Sequence, residues 1–266
     1  MRYQKDHDLH LHSQLSLCSG DPNQNPQRIL QYAKDSGYKA ICLTDHFWDE
    51  SVEGASSWYQ KQDYAHIKQA LPLPQEDGIV FRFGCETDMD KFCTVGVGEK
   101  VYGELDFVII PTTHLHMTGF TIDEEDDSPK NRRKVYVDRL KALLKKDIPF
   151  GKTGIAHLTT SLIDKRDDNH IRIIDSISDE VFGDIFSTAK KKGVGIELNL
   201  NPLDYSADDR EKILRPYRIA KECGCLFYLG TDAHHPDAFE IAAIRFDSII
   251  DCLNLKEEHK FKPFDF

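Results

Sequence analysis

The stretch Asp8-Leu9-His10-Leu11-His12 alternates polar and apolar residues near the amino terminus. A period of two is typical of a β-strand, and it places the His10 and His12 side chains on one face. Two imidazoles on one face at the end of a strand can reach the same metal ion. A single pair of this kind is equally compatible with an ordinary half-buried strand, so the metal hypothesis requires further ligands elsewhere in the chain.

Further imidazoles and carboxylates follow other predicted strands. Each predicted strand is a short, largely apolar run, which is the pattern of a strand buried under helices in a parallel sheet. The residues at the carboxyl ends of these strands are His10, His12, His46, Glu86, His114, His157, Asp232 and His234. Helical patterns alternate with about seven strands, and no segment has the composition of a linker. We therefore expect a single domain over residues 1–266.

The position of these polar residues favours a closed α/β barrel. The carboxyl ends of all strands form one rim in such a barrel, whereas an open doubly wound sheet spreads them along an edge. Imidazole and carboxylate ligands without clustered thiolates suit Zn²⁺, Mn²⁺ or Fe²⁺. The candidate ligands are too many for one ion, and a carboxylate such as Glu86 can bridge two. Multinuclear sites of this kind catalyse hydrolysis, with a phosphate ester as the favoured substrate.

Composition excludes other classes of function. The net charge of −11 argues against an extended nucleic-acid-binding surface, which needs a basic face. No apolar run is long enough to span a membrane, and the first residues lack the apolar core of a signal peptide. The seven cysteines are odd in number and scattered, so we expect a reducing, cytoplasmic environment. No glycine-rich loop follows the first strand, which weakens a dinucleotide-binding interpretation.

Seven short motifs lie at the ends of predicted strands: Asp8-Leu9-His10-Leu11-His12, Thr44-Asp45-His46, Gly84-Cys85-Glu86, Thr113-His114, Ala156-His157, Glu197-Leu198-Asn199 and Gly230-Thr231-Asp232-Ala233-His234. From residue 8 to about residue 240, their order and spacing resemble those of the PHP (polymerase and histidinol phosphatase) family. The resemblance implies a distorted (β/α)₇ barrel, similar to a TIM barrel, with two to three divalent metal ions.

The resemblance also implies how the ligands are divided. His10, His12, Glu86 and Asp232 would hold one metal; Glu86 would bridge to a second, held by His114 and His157; His46 and His234 would hold the third. Glu86, Asp232 and His234 are the residues expected to act in catalysis. The third metal needs one further ligand after the first strand, for which Cys18 and Asp21 are the candidates and Asp21 is the better match.

The leading hypothesis is a phosphatase that acts on a small phosphate monoester. A cationic side chain is expected to complete the phosphate site, and the candidates are Arg132, Arg133, Lys165 and Arg166, with His235 as a further contact. Histidinol phosphate is one possible substrate. However, Leu158-Thr159 follows His157 where histidinol phosphatase-like members often have H-x-D, so the substrate stays open. The alternatives are an amidohydrolase-like C–N hydrolase and a non-catalytic, metal-stabilised PHP module.

Overall fold

The computed structural model describes all 266 residues and contains nine β-strands and eight α-helices. The strands are β1 (His7–Leu11), β2 (Ala40–Leu43), β3 (His46–Phe47), β4 (Val80–Phe83), β5 (Cys85–Thr87), β6 (Val108–Pro111), β7 (Thr153–Ala156), β8 (Gly195–Leu198) and β9 (Leu226–Leu229). The helices are α1 (Pro26–Ser36), α2 (Tyr64–Ile67), α3 (Glu99–Glu104), α4 (Pro129–Leu143), α5 (Asn169–Asp175), α6 (Asp179–Lys192), α7 (Ala207–Glu222) and α8 (Ala238–Cys252).

The strands form two parallel sheets that together close a barrel. The sheet orders are β1-β2-β4 and β3-β5-β6-β7-β8-β9. Only two residues separate β2 from β3, and only Gly84 separates β4 from β5, so each pair acts as one bent strand shared by both sheets. The chain then returns to β1, since the Asp232 amide donates to the His10 carbonyl at 2.9 Å. The barrel has seven strand positions, which confirms the predicted distorted (β/α)₇ fold.

Gly84 is required where the second of these bent strands changes sheet. A Cβ atom at this position would lie 2.3 Å from the carbonyl oxygen of Phe107 on the neighbouring chain segment. Any side chain would push the two segments apart, so the bend can form only with glycine. The bend directs the following residues, including Glu86, toward the centre of the barrel rim.

The helix signals in the sequence differ in how well they predict the structure. Asn25 before Pro26 predicts the start of a helix, and Gly37 predicts its end. Helix α1 has both signals, with the Asn25 side chain accepting from the Arg28 amide and Gly37 at φ 68°. The segment from Tyr59 to Leu71, followed by Pro72, reads in the sequence as a single helix, but this prediction is wrong. The structure has two short 3₁₀ turns and the four-residue α2 there.

A separate apolar cluster fills the amino-terminal part of the barrel interior. Its members come from strands all around the barrel and from the carboxyl-terminal segment; they include Leu9, Phe107, Ile109, Tyr228 and Phe261. Apolar packing closes this end, and the buried histidines and carboxylates that follow the strands lie at the opposite rim. None of the helices combines the length and apolar character needed to cross a membrane.

Candidate metal centre

The two histidines of β1 converge on two carboxylates. His10 and His12 are fully buried, and their Nε2 atoms lie 3.0 Å apart. Glu86 Oε2 lies 3.4 Å from the first of these nitrogens and 3.3 Å from the second. Asp232 Oδ1 is 3.4 Å and 3.1 Å from the same atoms. These four ligand atoms lie within 4.8 Å of one another, so they could surround one ion.

Two further groups of ligand atoms adjoin this one. Glu86 Oε1 lies 3.9 Å from His114 Nε2 and 3.7 Å from His157 Nε2, which gives Glu86 one oxygen toward each of two groups. His12, His46 and His234 form the third group, with 3.3 Å between the Nε2 atoms of the last two. The third group holds His12 beside His46 and His234, where the family resemblance implies Asp21 or Cys18, and a fourth group, His10, His157 and Glu197, adjoins the others.

Buried hydrogen bonds orient the β1 imidazoles. His10 Nδ1 lies 2.5 Å from Glu197 Oε1, and His12 Nδ1 lies 2.9 Å from the hydroxyl oxygen of Ser16. The Ser16 hydroxyl itself donates to Asp45 Oδ1 at 2.7 Å, so it accepts from the imidazole. Both rings are therefore held through Nδ1 and turn Nε2 toward the centre, which is the orientation that a metal ligand requires.

The same arrangement recurs at two other histidines. Asp88 Oδ2 accepts from His114 Nδ1 at 2.9 Å, and the backbone carbonyl of Asp232 accepts from His234 Nδ1 at 2.9 Å. Four imidazoles thus turn Nε2 toward one small volume, where deprotonated nitrogens could act as ligands of bound cations.

Several buried atoms at the centre have no hydrogen-bond partner. They are Glu86 Oε1, Glu86 Oε2, Asp232 Oδ1, His46 Nδ1 and His157 Nε2. Buried carboxylate oxygens without partners are costly, and they are rare unless an ion or water satisfies them. The nitrogen and oxygen donor set without thiolate fits Zn²⁺, Mn²⁺ or Fe²⁺. The residues present therefore fit a multinuclear metal site.

Charges within the cluster shift the pKa values of its members. Burial raises the pKa of the Glu86 and Asp232 carboxyls, but the facing imidazoles outweigh burial and hold both pKa values well below the usual range. Burial lowers the pKa of His157, but the nearby carboxylates outweigh it and raise the pKa to about 9. Burial dominates at His46, where the pKa is well below 6.5, and at His234, where it falls to about 4. The carboxylates are therefore ionised at neutral pH.

Residues 8–201 match the family described as the PHP domain. This chain belongs to that family. A probable phosphatase from Caldicellulosiruptor saccharolyticus (strain ATCC 43494 / DSM 8903 / Tp8T 6331) is 24% identical to it over 229 residues, which cover 85% of this chain and 79% of that protein. Together with the buried histidine and carboxylate groups, the family supports the predicted class of metal-dependent hydrolase.

A solved structure shares the fold of this PHP protein. It is the crystal structure of histidinol phosphate phosphatase from Lactococcus lactis subsp. lactis Il1403, complexed with zinc, L-histidinol and phosphate. The two align with a TM-score of 0.60 and 17% sequence identity, over 97% of this chain and 99% of that chain. At this identity the likeness supports the predicted barrel fold.

The backbone at the rim of the PHP barrel is strained at two ligand positions. His157 has φ 51° and Asp232 has φ 56°, which are left-handed values that residues other than glycine rarely adopt. The His157 amide donates to Glu197 Oε2 at 2.9 Å, and this bond holds the strained residue in place. Gly230 precedes the second position, and a Cβ there would lie 2.3 Å from Glu197 Oε1. Strain of this kind is typical of functional sites.

Glu197 is a site residue that the sequence analysis quoted in a motif but did not assign. It is fully buried, and it contacts both the His10 ring and the His157 backbone. The available signal was its position, since a carboxylate inside the apolar run of β8 needs a buried partner. Asp88 was missed for a different reason, because its contacts with His114 and Arg139 come from segments distant in sequence.

The structure does not bring Asp21 to the third ligand group, contrary to the expectation. Its carboxylate lies 2.8 Å from His235 Nε2 and accepts from the Asn23 amide, which places both Asp21 and His235 outside the cavity lining. The cause is a turn at Gly20, with φ 68°, that directs the following residue away from the centre. Cys18, the weaker candidate, lines the cavity beside the ligands.

The predicted phosphate-binding cations are also placed elsewhere. Arg132 is buried and donates to Asp127 and to the Leu115 and Ile163 carbonyls, so its role is to join loops. Arg166 pairs with Asp164, Arg133 donates to the Ser176 carbonyl, and Lys165 is exposed. None of the four is among the residues that line the cavity. Spacing in the sequence could not show this, because loop direction decides where these side chains point.

A cavity of about 500 Å³ opens onto the metal centre. Its floor contains ligand residues of all three groups, and its walls are formed by residues of the loops after β1, β3, β6 and β7. The cavity-lining residues are Cys18, His46, Ser56, Trp58, Tyr59, Glu86, His114, His116, Met117, Phe120, His157, Leu162, Asp232 and His234. The position is that of the active site in other α/β barrels.

Proposed function

We propose that this PHP protein is a metal-dependent phosphatase that hydrolyses a small phosphate monoester. The observation that supports this most strongly is Glu86, a fully buried carboxylate whose two oxygens lack hydrogen-bond partners and face two different groups of histidines. A bridging carboxylate of this kind is characteristic of multinuclear hydrolytic sites. The curated relative, a probable phosphatase, supports a phosphate ester as the substrate.

The ligand groups suggest two to three divalent ions of zinc, manganese or iron. The first would be held by His10, His12, Glu86 and Asp232; the second by Glu86, His114 and His157; the third by His12, His46 and His234. When bound, such ions supply a nucleophilic water of lowered pKa and neutralise the oxygens of the phosphate. Asp21 is no longer part of this proposal because its carboxylate pairs with His235.

The residues of the metal centre have different roles in the proposed reaction. Glu86 fixes the distance between two ligand groups, and it stays ionised because its pKa is held far below neutral pH. Asp232 and His234 have the side chains with the greatest exposure in the cluster, 26% and 28%. They can therefore reach the substrate, and the ionised Asp232 carboxylate can accept a hydrogen bond from the attacking water. Glu197 orients the His10 ring without reaching the cavity.

No lysine or arginine lines the cavity, so the phosphate charge must be balanced at the metal centre. This differs from the cationic phosphate site expected from the sequence. Histidinol phosphate remains one candidate substrate, since the neighbour of similar fold was crystallised with L-histidinol and phosphate.

The test is phosphate release from a panel of monoesters by protein reconstituted with Zn²⁺, Mn²⁺ or Fe²⁺. We expect release by the wild type, loss of at least 10³-fold in kcat for Glu86→Gln, and no change for Glu104→Gln, an exposed carboxylate outside the cavity. Metal binding without release from any ester would refute the phosphatase and favour C–N hydrolysis or a non-catalytic module. Equal activity of the wild type and Glu86→Gln would show that the metal centre takes no part in the reaction.

A further inference from the structure

Part of the cavity wall is apolar and belongs to none of the ligand groups. Trp58, Met117, Phe120 and Leu162 are half-buried and line the cavity, and Tyr59 is fully buried behind them. These residues come from three separate loops, so the apolar wall is assembled by the fold rather than by one segment. Half-exposed aromatic side chains beside a polar centre are typical of ligand-binding sites.

Aromatic packing fixes this wall next to the metal centre. The Trp58 ring meets the His46 imidazole edge to face at 5.1 Å and the Tyr59 ring at 4.7 Å. Tyr59 in turn contacts Phe120 at 5.5 Å, and its hydroxyl donates to Asp88 at 3.4 Å. The carboxylate of Asp88 also orients a metal-ligand candidate, so the wall and the centre share one rigid support.

The rest of the wall offers no partner for a charged leaving group. Apart from the ligand groups, its polar members are Cys18, Ser56 and His116. The only carboxylates that line the cavity, Glu86 and Asp232, face the histidines. An ammonium group or a second phosphate would therefore lose its hydration without gaining a counter-charge, which is costly. An apolar group would gain binding free energy, because it would bury its surface against the apolar side chains of the wall.

We propose that the substrate is the phosphate monoester of a small, neutral, apolar alcohol, with a flat ring as the best fit to Trp58 and Phe120. The inference rests on the proposed phosphatase function and narrows its substrate. A cavity of about 500 Å³ lies in the lower half of the range of small-ligand sites, about 300–1,000 Å³. It accommodates a phosphate and one ring. Amino-alcohol phosphates and sugar phosphates match the wall less well.

The first experiment compares esters that share a primary alkoxide leaving group, so that intrinsic reactivity is similar. The probes are 2-phenylethyl phosphate, 2-aminoethyl phosphate, glycerol 3-phosphate and histidinol phosphate, each with the metal-loaded protein. We expect kcat/KM for 2-phenylethyl phosphate to exceed the other three at least tenfold. A higher value for histidinol phosphate or glycerol 3-phosphate than for 2-phenylethyl phosphate overturns the inference.

The second experiment changes the wall. Trp58→Ala should raise KM for 2-phenylethyl phosphate about tenfold more than KM for glycerol 3-phosphate, a difference equivalent to about 1.4 kcal/mol. The difference should fall on KM rather than kcat, because the ring contributes equally to ground-state and transition-state binding. Phe92→Ala, an aromatic residue 78% exposed outside the cavity, is the matched control without effect. Leu162→Glu should improve kcat/KM for 2-aminoethyl phosphate. Equal losses on all esters in Trp58→Ala would contradict the assignment.

A binding measurement separates this inference from the proposed function. We would titrate the metal-loaded protein with 3-phenylpropylphosphonate, the non-hydrolysable analogue of the apolar ester, and with methylphosphonate. We expect the phenyl compound to bind at least tenfold more tightly and Trp58→Ala to abolish the difference. If no ester releases phosphate, the phosphatase is refuted, and equal binding of the two phosphonates refutes the apolar subsite independently.

Discussion

Glu197→Gln should weaken metal binding although Glu197 does not face the cavity. The carboxylate accepts two N–H groups, one from His10 Nδ1 at 2.5 Å and one from the His157 amide at 2.9 Å. Glutamine keeps the shape, but it has only one oxygen to accept with and an NH₂ group in place of the other. One of the two N–H groups must then face another donor. If the His10 ring changes tautomer to relieve this, its Nε2 no longer has a lone pair for the metal.

The size of the effect follows from the lost contact. A buried polar group left without its partner costs about 1–3 kcal/mol. Loss of a hydrogen bond that orients a metal ligand typically lowers metal affinity 10–100-fold, or about 1.4–2.8 kcal/mol. The two figures agree, so we expect a 10–100-fold larger dissociation constant for Zn²⁺ or Mn²⁺ in Glu197→Gln.

The assay is competition with a chromophoric chelator, with folding verified by circular dichroism. The matched control is Asp6→Asn, since Asp6 also accepts from a buried imidazole, His7 Nδ1 at 3.0 Å, and from Lys260 at 2.8 Å. It lies before β1, away from the centre, so it should reduce stability without changing metal affinity. Wild-type affinity in folded Glu197→Gln would refute the argument that this carboxylate sets the His10 tautomer.

Three other predictions concern stability, protons and the corrected ligand. Arg139→Met should lower the free energy of unfolding by about 3–5 kcal/mol, or Tm by roughly 6–20 °C, because buried Arg139 pairs with Asp88 at 3.0 Å. The control Arg133→Met, at an exposed residue, should shift Tm by less than about 1 °C. Metal binding should release protons at pH 7, and metal affinity should rise with pH up to about 9. The reason is that carboxylates outweigh burial and raise the pKa of His157 to about 9 in the metal-free protein, so the metal must displace its proton. Calorimetry in buffers of different ionisation enthalpy measures this release, and a value of zero would contradict the prediction. Asp21→Asn should keep the full metal content by elemental analysis, and loss of one ion would restore Asp21 as a ligand.

The sequence predicted the parts of the site that depend on strand ends. His10, His12 and Glu86 could be placed because alternation and apolar runs locate parallel strands, and a barrel brings their carboxyl ends to one rim. The barrel and the set of ligand candidates followed from this rule, whereas the division of the ligands among metals followed from the family resemblance. The rule does not depend on loop conformation, and the structure places these strand-end side chains around one centre.

The parts that failed depend on loops and on long-range contacts. The direction of Asp21 is set by a left-handed turn at Gly20, and the pairing of Arg166 with Asp164 is set by a loop after β7. Neither has a periodic signal in the sequence. The contact of Asp88 with Arg139 joins residues 51 positions apart, and it exists only after the barrel closes. The extent of the single domain stays a prediction, as does the cytoplasmic location.

The most direct test of the metal-dependent phosphatase is a titration of metal-stripped protein. Phosphate release from a monoester would be recorded as Zn²⁺ or Mn²⁺ is added in equivalents per chain. The ligand groups around Glu86 predict no release from the stripped protein and a plateau at two to three equivalents. Full release in the presence of excess chelator, or none at any metal ratio with any ester, would contradict the account.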